Sequence, residues 1–157
     1  MKRRDFLAAA AAAVAGIPAG VAYAQRGGLK KLGEIGLQLY TLRGMMQKSV
    51  PRTLAAVAKA GYKQVEFAGY FNVNPPVMKK ILDDNGLTAK SAHIAMADLG
   101  MRWEIMIEDA NTLGMKYLTV AWINAPERTV EGYKRIADRF NAAGRYASGD
   151  GVQLAYH

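Results

Sequence analysis

The chain has 157 residues, of which 51% are hydrophobic and 22% charged, with a formal net charge of +8. That composition excludes wholesale disorder, and the length suits a single domain. The absence of cysteine excludes disulfide frameworks, thiolate metal sites, cysteine nucleophiles and a lipoprotein anchor. With only two histidines, any metal site must rest mainly on carboxylates.

Residues 1–24 read as an export signal. Lys2, Arg3 and Arg4 form a basic start, residues 6–17 are apolar and alanine-rich, and Ala22-Tyr23-Ala24 gives a small-x-small cleavage pattern before Gln25. The paired arginines followed by Asp5-Phe6-Leu7 are similar to a twin-arginine signal. An ordinary secretory signal is the simpler alternative. A membrane span is disfavoured because Gly16, Pro18 and Gly20 interrupt the apolar run. The expected location is therefore periplasmic or extracellular, with no stable membrane span after cleavage. Without that segment the chain carries 18 basic and 12 acidic residues, a net charge of +6. The basic residues are dispersed and not interleaved with aromatics, so nucleic acid is not an expected partner.

After a basic lead-in over 25–32, strand and helix signals alternate. Residues 34–40 (EIGLQLY) have strand character. Ser49 is placed to cap a helix with Pro51 in its first turn and Val50, Leu54, Val57 and Ala58 on one face, ending at Gly61. A second strand is expected over 64–68 (QVEFA). Asn74 then caps a helix with Pro75 at its first position, stopped by Asn85-Gly86. Residues 87–94 (LTAKSAHI) give the third strand. Trp103, Met106, Ile107, Ala110 and Leu113 form the next apolar stripe, closed by Gly114. Residues 116–122 (KYLTVAW) are the fourth strand. Thr129 caps a long helix whose expected inner face is Val130, Tyr133, Ala137 and Phe140, and 152–156 (VQLAY) is the fifth strand.

Five strands separated by four helices, at intervals of about 25–35 residues, indicate parallel βαβ units in an α/β fold. An open doubly wound sheet and part of a (β/α)8 TIM barrel both fit. A complete barrel typically needs ~250 residues, and a finished five-stranded sheet would want a helix after its last strand. The end at His157 therefore reads as an interruption.

In either architecture chemistry gathers at the C-terminal strand ends. Those ends offer Gln38 and Tyr40 with Arg43, Glu66 with Tyr70, His93, Trp122 with Asn124, and Tyr156 with His157. This polar and aromatic set suits a polyhydroxylated ligand, held by hydrogen bonds and ring stacking. Each residue also has a plainer role open to it: a solvated loop acid for Glu66, a structural histidine for His93, a packing ring for Trp122, and core filling for Met45-Met46. The loop after the first strand, Thr41-Leu42-Arg43-Gly44, is no FMN phosphate loop. No G-x-G-x-x-G, P-loop or G-x-S-x-G motif occurs in the chain.

The segments 35–43 (IGLQLYTLR), 61–70 (GYKQVEFAGY), Asn85-Gly86-Leu87, Ser91-Ala92-His93, 113–117 (LGMKY), the Trp122 strand, 140–144 (FNAAG) and 151–157 (GVQLAYH) together resemble the sugar phosphate isomerase/epimerase family of xylose isomerase-like TIM barrels. The resemblance runs in order over residues 33–157 and implies an incomplete (β/α)8 TIM barrel with about five strands and four helices present. It implies a divalent ion (Mn, Mg or Co) held by two Glu, one Asp and one His, and proton transfer next to a sugar carbonyl. Relatives continue the fifth strand as Tyr-His-Asn-His toward a metal-binding Glu, so all four ligands are expected beyond His157 and none within this chain. The implied substrate-facing wall is Gln38, Glu66, His93, Trp122 and His157, with a small carbohydrate as partner. A non-catalytic sugar-binding barrel is the alternative. A third possibility is a half-barrel with two open sheet edges, prone to aggregation or to homo-oligomer formation and inert alone.

Overall fold

A computed structural model describes residues 33–157. The expected export signal and lead-in lie outside the described residues. The strands are β1 (Gly36–Gln38), β2 (Gln64–Phe67), β3 (Thr88–Ile94), β4 (Tyr117–Val120) and β5 (Gln153–Tyr156). The helices are α1 (Arg43–Lys48), α2 (Val50–Lys59), α3 (Pro75–Asp84), α4 (Trp103–Leu113) and α5 (Val130–Ser148). All four strand pairings are parallel, in the order β1-β2-β3-β4-β5. A doubly wound sheet reverses its strand order at a switch point. Here every new strand is added on the same side, so the architecture is a partial (β/α) barrel.

The helices start and stop where local chemistry says they should. Ser49 Oγ accepts from the Arg52 N–H, Asn74 Oδ1 from the Val77 N–H at 3.0 Å, and Thr129 Oγ1 from the Gly132 N–H at 3.0 Å. Each satisfies an amide that the first helical turn leaves unpaired. Gly114 ends α4 at φ 71°, a left-handed conformation that costs a side-chain-bearing residue more than glycine.

Three expectations are corrected. A fifth helix, α1, forms in the loop after β1, and β1 itself is short. Gln38 Oε1 accepts the Tyr40 N–H, which turns residues Leu39–Leu42 into a 3-10 helix leading into α1. Of the two adjacent methionines, Met46 is buried and Met45 exposed. The inner face of α5 is Gly132, Ile136, Ala143 and Ala147, whereas Val130 and Tyr133 are exposed and Phe140 packs only at the core's margin. Small residues let this helix lie close to its neighbours. The indole N–H of buried Trp103 on α4 donates to the Ala143 carbonyl across that contact, at 3.1 Å.

The sheet has one apolar face and one polar face. Val65, Phe67, Ala92, Ile94, Leu118 and Val120 are buried in one core cluster with Leu54, Met78, Ile107 and Ala147 of the helices. The alternate residues, including Gln38, Glu66, Ser91, His93 and Thr119, face the other way, as the period of two requires. No helix among the described residues is long and apolar enough to cross a membrane.

Candidate functional site

At the C-terminal end of the sheet a cleft of about 580 Å³ is lined by Gln38, Tyr40, Thr41, Glu66, His93, Ala121, Trp122 and His157. The five residues singled out for a substrate-facing wall therefore share one cavity, although they come from five different strand ends. Register explains part of this. Gln38 pairs with Glu66, and Glu66 pairs with Ser91. His93 lies two residues beyond Ser91 and shares its face.

Hydrogen bonds tie Gln38 to His93 and Ser91 to Glu66. The Tyr40 N–H donates to Gln38 Oε1, which fixes the amide so that Gln38 Nε2 donates to His93 Nδ1 at 3.3 Å. In the neutral ring the proton then sits on Nε2. That nitrogen is 3.1 Å from Glu66 Oε1. Its N–H is not aligned with the carboxylate, however, and buried Nε2 has no hydrogen-bond partner. Glu66 Oε2 accepts from the Ser91 hydroxyl. The cleft floor thus holds one carboxylate anchored on one oxygen, beside an imidazole N–H with unspent donor capacity. His157 packs edge-on to His93, with ring centroids 5.5 Å apart, and its backbone N–H is held by the Val120 carbonyl at 3.1 Å.

The rim is aromatic. Trp122 and Tyr40 are 64% and 58% exposed. The Arg128 guanidinium lies over the Trp122 ring at 4.2 Å, and that of Arg43 over Tyr40 at 4.3 Å.

Other strand-end residues lie elsewhere. Tyr70 packs edge-on against Phe67 at 5.5 Å, and burial, with the Asp109 charge second, pushes its phenol well above the usual range. Tyr156 pairs with Val120 and meets Phe140 at 5.9 Å, on the helix side of the sheet. Asn124 precedes the 3-10 turn Ala125–Glu127. Sequence reasoning missed Ser91 and Arg128. Ser91 sits in a strand whose alternation is broken. Arg128 reaches Trp122 only through a turn, and no local signal marks that contact.

The donor set does not fit a metal. Among the described residues no group of three or more His, Cys, Asp or Glu side chains is placed to hold an ion. Both Glu66 oxygens and His93 Nδ1 already face protein groups.

No protein-family model and no curated protein matches the chain. Solved structures do. A sugar phosphate isomerase/epimerase from Parabacteroides distasonis is 24% identical with a TM-score of 0.69, over 83% of this chain and 53% of that one. An AP endonuclease of family 2 from Brucella melitensis is 16% identical with a TM-score of 0.65, over 80% and 55%. An IolI protein with a bound zinc atom is 14% identical with a TM-score of 0.61, over 79% and 51%. The chain spans about half the length of the solved structures it matches. At these identities the likeness establishes the fold, and function has to be argued from the site.

Proposed function

We propose that the cleft binds a small carbohydrate and belongs to an isomerase- or epimerase-type site that moves a proton next to a sugar carbonyl. The observation that carries this reading is the convergence of Gln38, Glu66, His93, Trp122 and His157, one from each strand end, on a single cavity. Gln38 and His93 supply donors for hydroxyl or carbonyl oxygens, and Trp122 supplies a stacking surface. Glu66 is the only carboxylate lining the cleft among the described residues. It is therefore the carboxylate in this cleft suited to take up a proton from carbon, with the Ser91 hydroxyl supporting its charge. The resemblance implies a divalent ion, and the IolI structure carries zinc. The described residues offer no ligand set, so no step is assigned to a metal.

The test is proton exchange. Free and phosphorylated aldoses and ketoses are incubated with the protein in D2O, with and without Mn, Mg or Co, and followed by NMR. Deuterium at the carbon next to the carbonyl, lost in Glu66→Gln, is the expected result. A second reading is binding without turnover, which the polar and aromatic lining of the cleft fits equally well. Sugar-dependent shielding of Trp122 with no exchange under any metal would decide for it. Export by the twin-arginine route is part of the same proposal. Replacing Arg3 and Arg4 by Lys should hold a reporter fusion in the cytoplasm.

A further inference from the structure

Two exposed rings of the cleft are held by the same device. Arg128 Nε donates to the Ile123 carbonyl at 2.8 Å while its guanidinium stacks on Trp122 at 4.2 Å. Across the cavity Arg43 Nη1 donates to the Tyr40 carbonyl at 3.0 Å and stacks on Tyr40 at 4.3 Å. Neither arginine has a carboxylate within salt-bridge distance among the described residues. The backbone bond and the ring are thus what fix each guanidinium. An unsupported indole this exposed would rotate about its side-chain torsions. A planar cation stacked on one face removes that freedom and covers that face.

We infer that Arg128 is a positioning residue: it clamps Trp122 so that a single ring face is offered to the cleft, as a fixed platform for the apolar face of a sugar ring. Arg43 does the same for Tyr40. This rests on the carbohydrate reading of the cleft. It goes beyond that reading by assigning specificity to the pre-set ring angle and by naming the residue that sets it. The ordering cost of the indole is met before binding, so affinity depends on a residue that need not touch the ligand.

Tryptophan fluorescence tests it, because the chain has only two tryptophans and Trp103 is buried. Acrylamide quenching and time-resolved anisotropy are measured on the full chain, with Trp122→Phe giving the Trp103 background. In Arg128→Ala the second ring face opens, so the Trp122 quenching constant should rise about twofold and its local anisotropy should fall. Arg128→Lys, which keeps the charge without the planar group, should lie between. Circular dichroism melts and the Trp103 component should not change. D-fructose, and D-fructose 6-phosphate as an anionic counterpart, are then titrated. Shielding of Trp122 should need about tenfold more sugar in Arg128→Ala. Wild-type quenching and anisotropy in both Arg128 variants would overturn the inference, as would equal sugar shielding in parent and Arg128→Ala. If neither sugar shields Trp122 in the parent, the carbohydrate reading fails, while the ligand-free fluorescence still decides the role of Arg128.

Discussion

Gly132 is the position where one methyl group should do the most damage. It lies in the first turn of α5, and a Cβ built there would sit 2.0 Å from the Glu127 carbonyl oxygen, 2.9 Å from its carbon and 3.1 Å from Thr129 Oγ1. Carbon contacts are comfortable near 3.5–4.0 Å, so the backbone of the preceding turn must move by about 1.5 Å. That movement strains the Thr129 N–H bond to the Glu127 carbonyl, at 2.9 Å, and the Thr129 cap on Gly132 itself. Overpacking costs about 1–3 kcal/mol and a lost cap about 1 more, against a gain of about 1 from replacing a helical glycine by alanine. Gly132→Ala should therefore destabilise by about 1–3 kcal/mol and lower Tm by about 3–10 °C. Gly144, in the same helix, is the internal control. Its added Cβ meets only Leu154 Cβ at 3.9 Å, ordinary contact. Gly144→Ala should be neutral or stabilising by up to about 1 kcal/mol. The pair is measured by thermal unfolding under circular dichroism. If Gly132→Ala melts at or above Gly144→Ala, the close-approach reasoning is wrong. The same turn carries Arg128, so Gly132→Ala should also raise acrylamide quenching of Trp122.

Trp103→Phe should cost about 1–3 kcal/mol, read as a lower urea midpoint, because it deletes the buried hydrogen bond to Ala143 and leaves a void between α4 and α5. Asp109 has its carboxyl held above the usual range, first by burial, then by the Glu108 charge, with Arg102 opposing. The folded state therefore binds that proton more tightly than the unfolded chain does. The stability this brings is present below the ordinary carboxylate range and is lost as pH rises through the raised value. Asp109→Asn should accordingly stabilise the fold at neutral pH, by no more than about 0.5 kcal/mol at this half-buried site, and should have no effect near pH ~3. Glu66→Gln should stay within about 1 kcal/mol of the parent's stability, since Gln can still accept from Ser91, while losing proton exchange. A melt far below that limit would make Glu66 a structural residue.

The elements were legible because their punctuation is local. Ser49, Asn74 and Thr129 sit directly before the turns they cap, and Gly61, Gly86 and Gly114 each occupy positive φ just beyond a helix. The face of α5 was not legible, because hydrophobicity ranks Val130 and Tyr133 above Gly132, Ala143 and Ala147. Close approach selects for small side chains there, and hydrophobicity carries no record of distance. Residues at strand ends could be listed from sequence, but their direction needs the register. Tyr156, opposite Val120, points to the helices, whereas Glu66, opposite Gln38, points to the cleft. Arg128 was invisible for a related reason: its partner Trp122 lies across a turn whose path the sequence does not fix.

One irregularity aims His93. Along β2 and β3 the pairs are Gln64 with Thr88 and Val65 with Ala89, and then Glu66 with Ser91, so Lys90 is skipped. Because side chains alternate, a regular ladder would place Lys90 beside Glu66 and turn Ser91 and His93 toward the helices. The bulge inverts the remainder of the strand: Ser91 and His93 join Glu66, while Ala92 and Ile94 enter the core. It also explains why 87–94 shows no clean alternation in sequence, since its buried alanines at 89 and 92 are an odd number of residues apart. Lys90 itself is exposed, so Lys90→Ala should change stability by less than about 0.5 kcal/mol. Inserting an alanine between Ser91 and Ala92 should instead turn His93 toward the helices and Ala92 and Ile94 into the cleft, because side chains alternate along the strand. Losing the packing of Ile94 alone sets the cost at roughly 2–5 kcal/mol. Denaturant unfolding of the two variants separates a bulge that aims the site from a surface lysine that happens to sit beside it. An insertion variant as stable as Lys90→Ala, with the Gln38 contact still visible in the His93 ring nitrogen shifts, would refute the alternation argument.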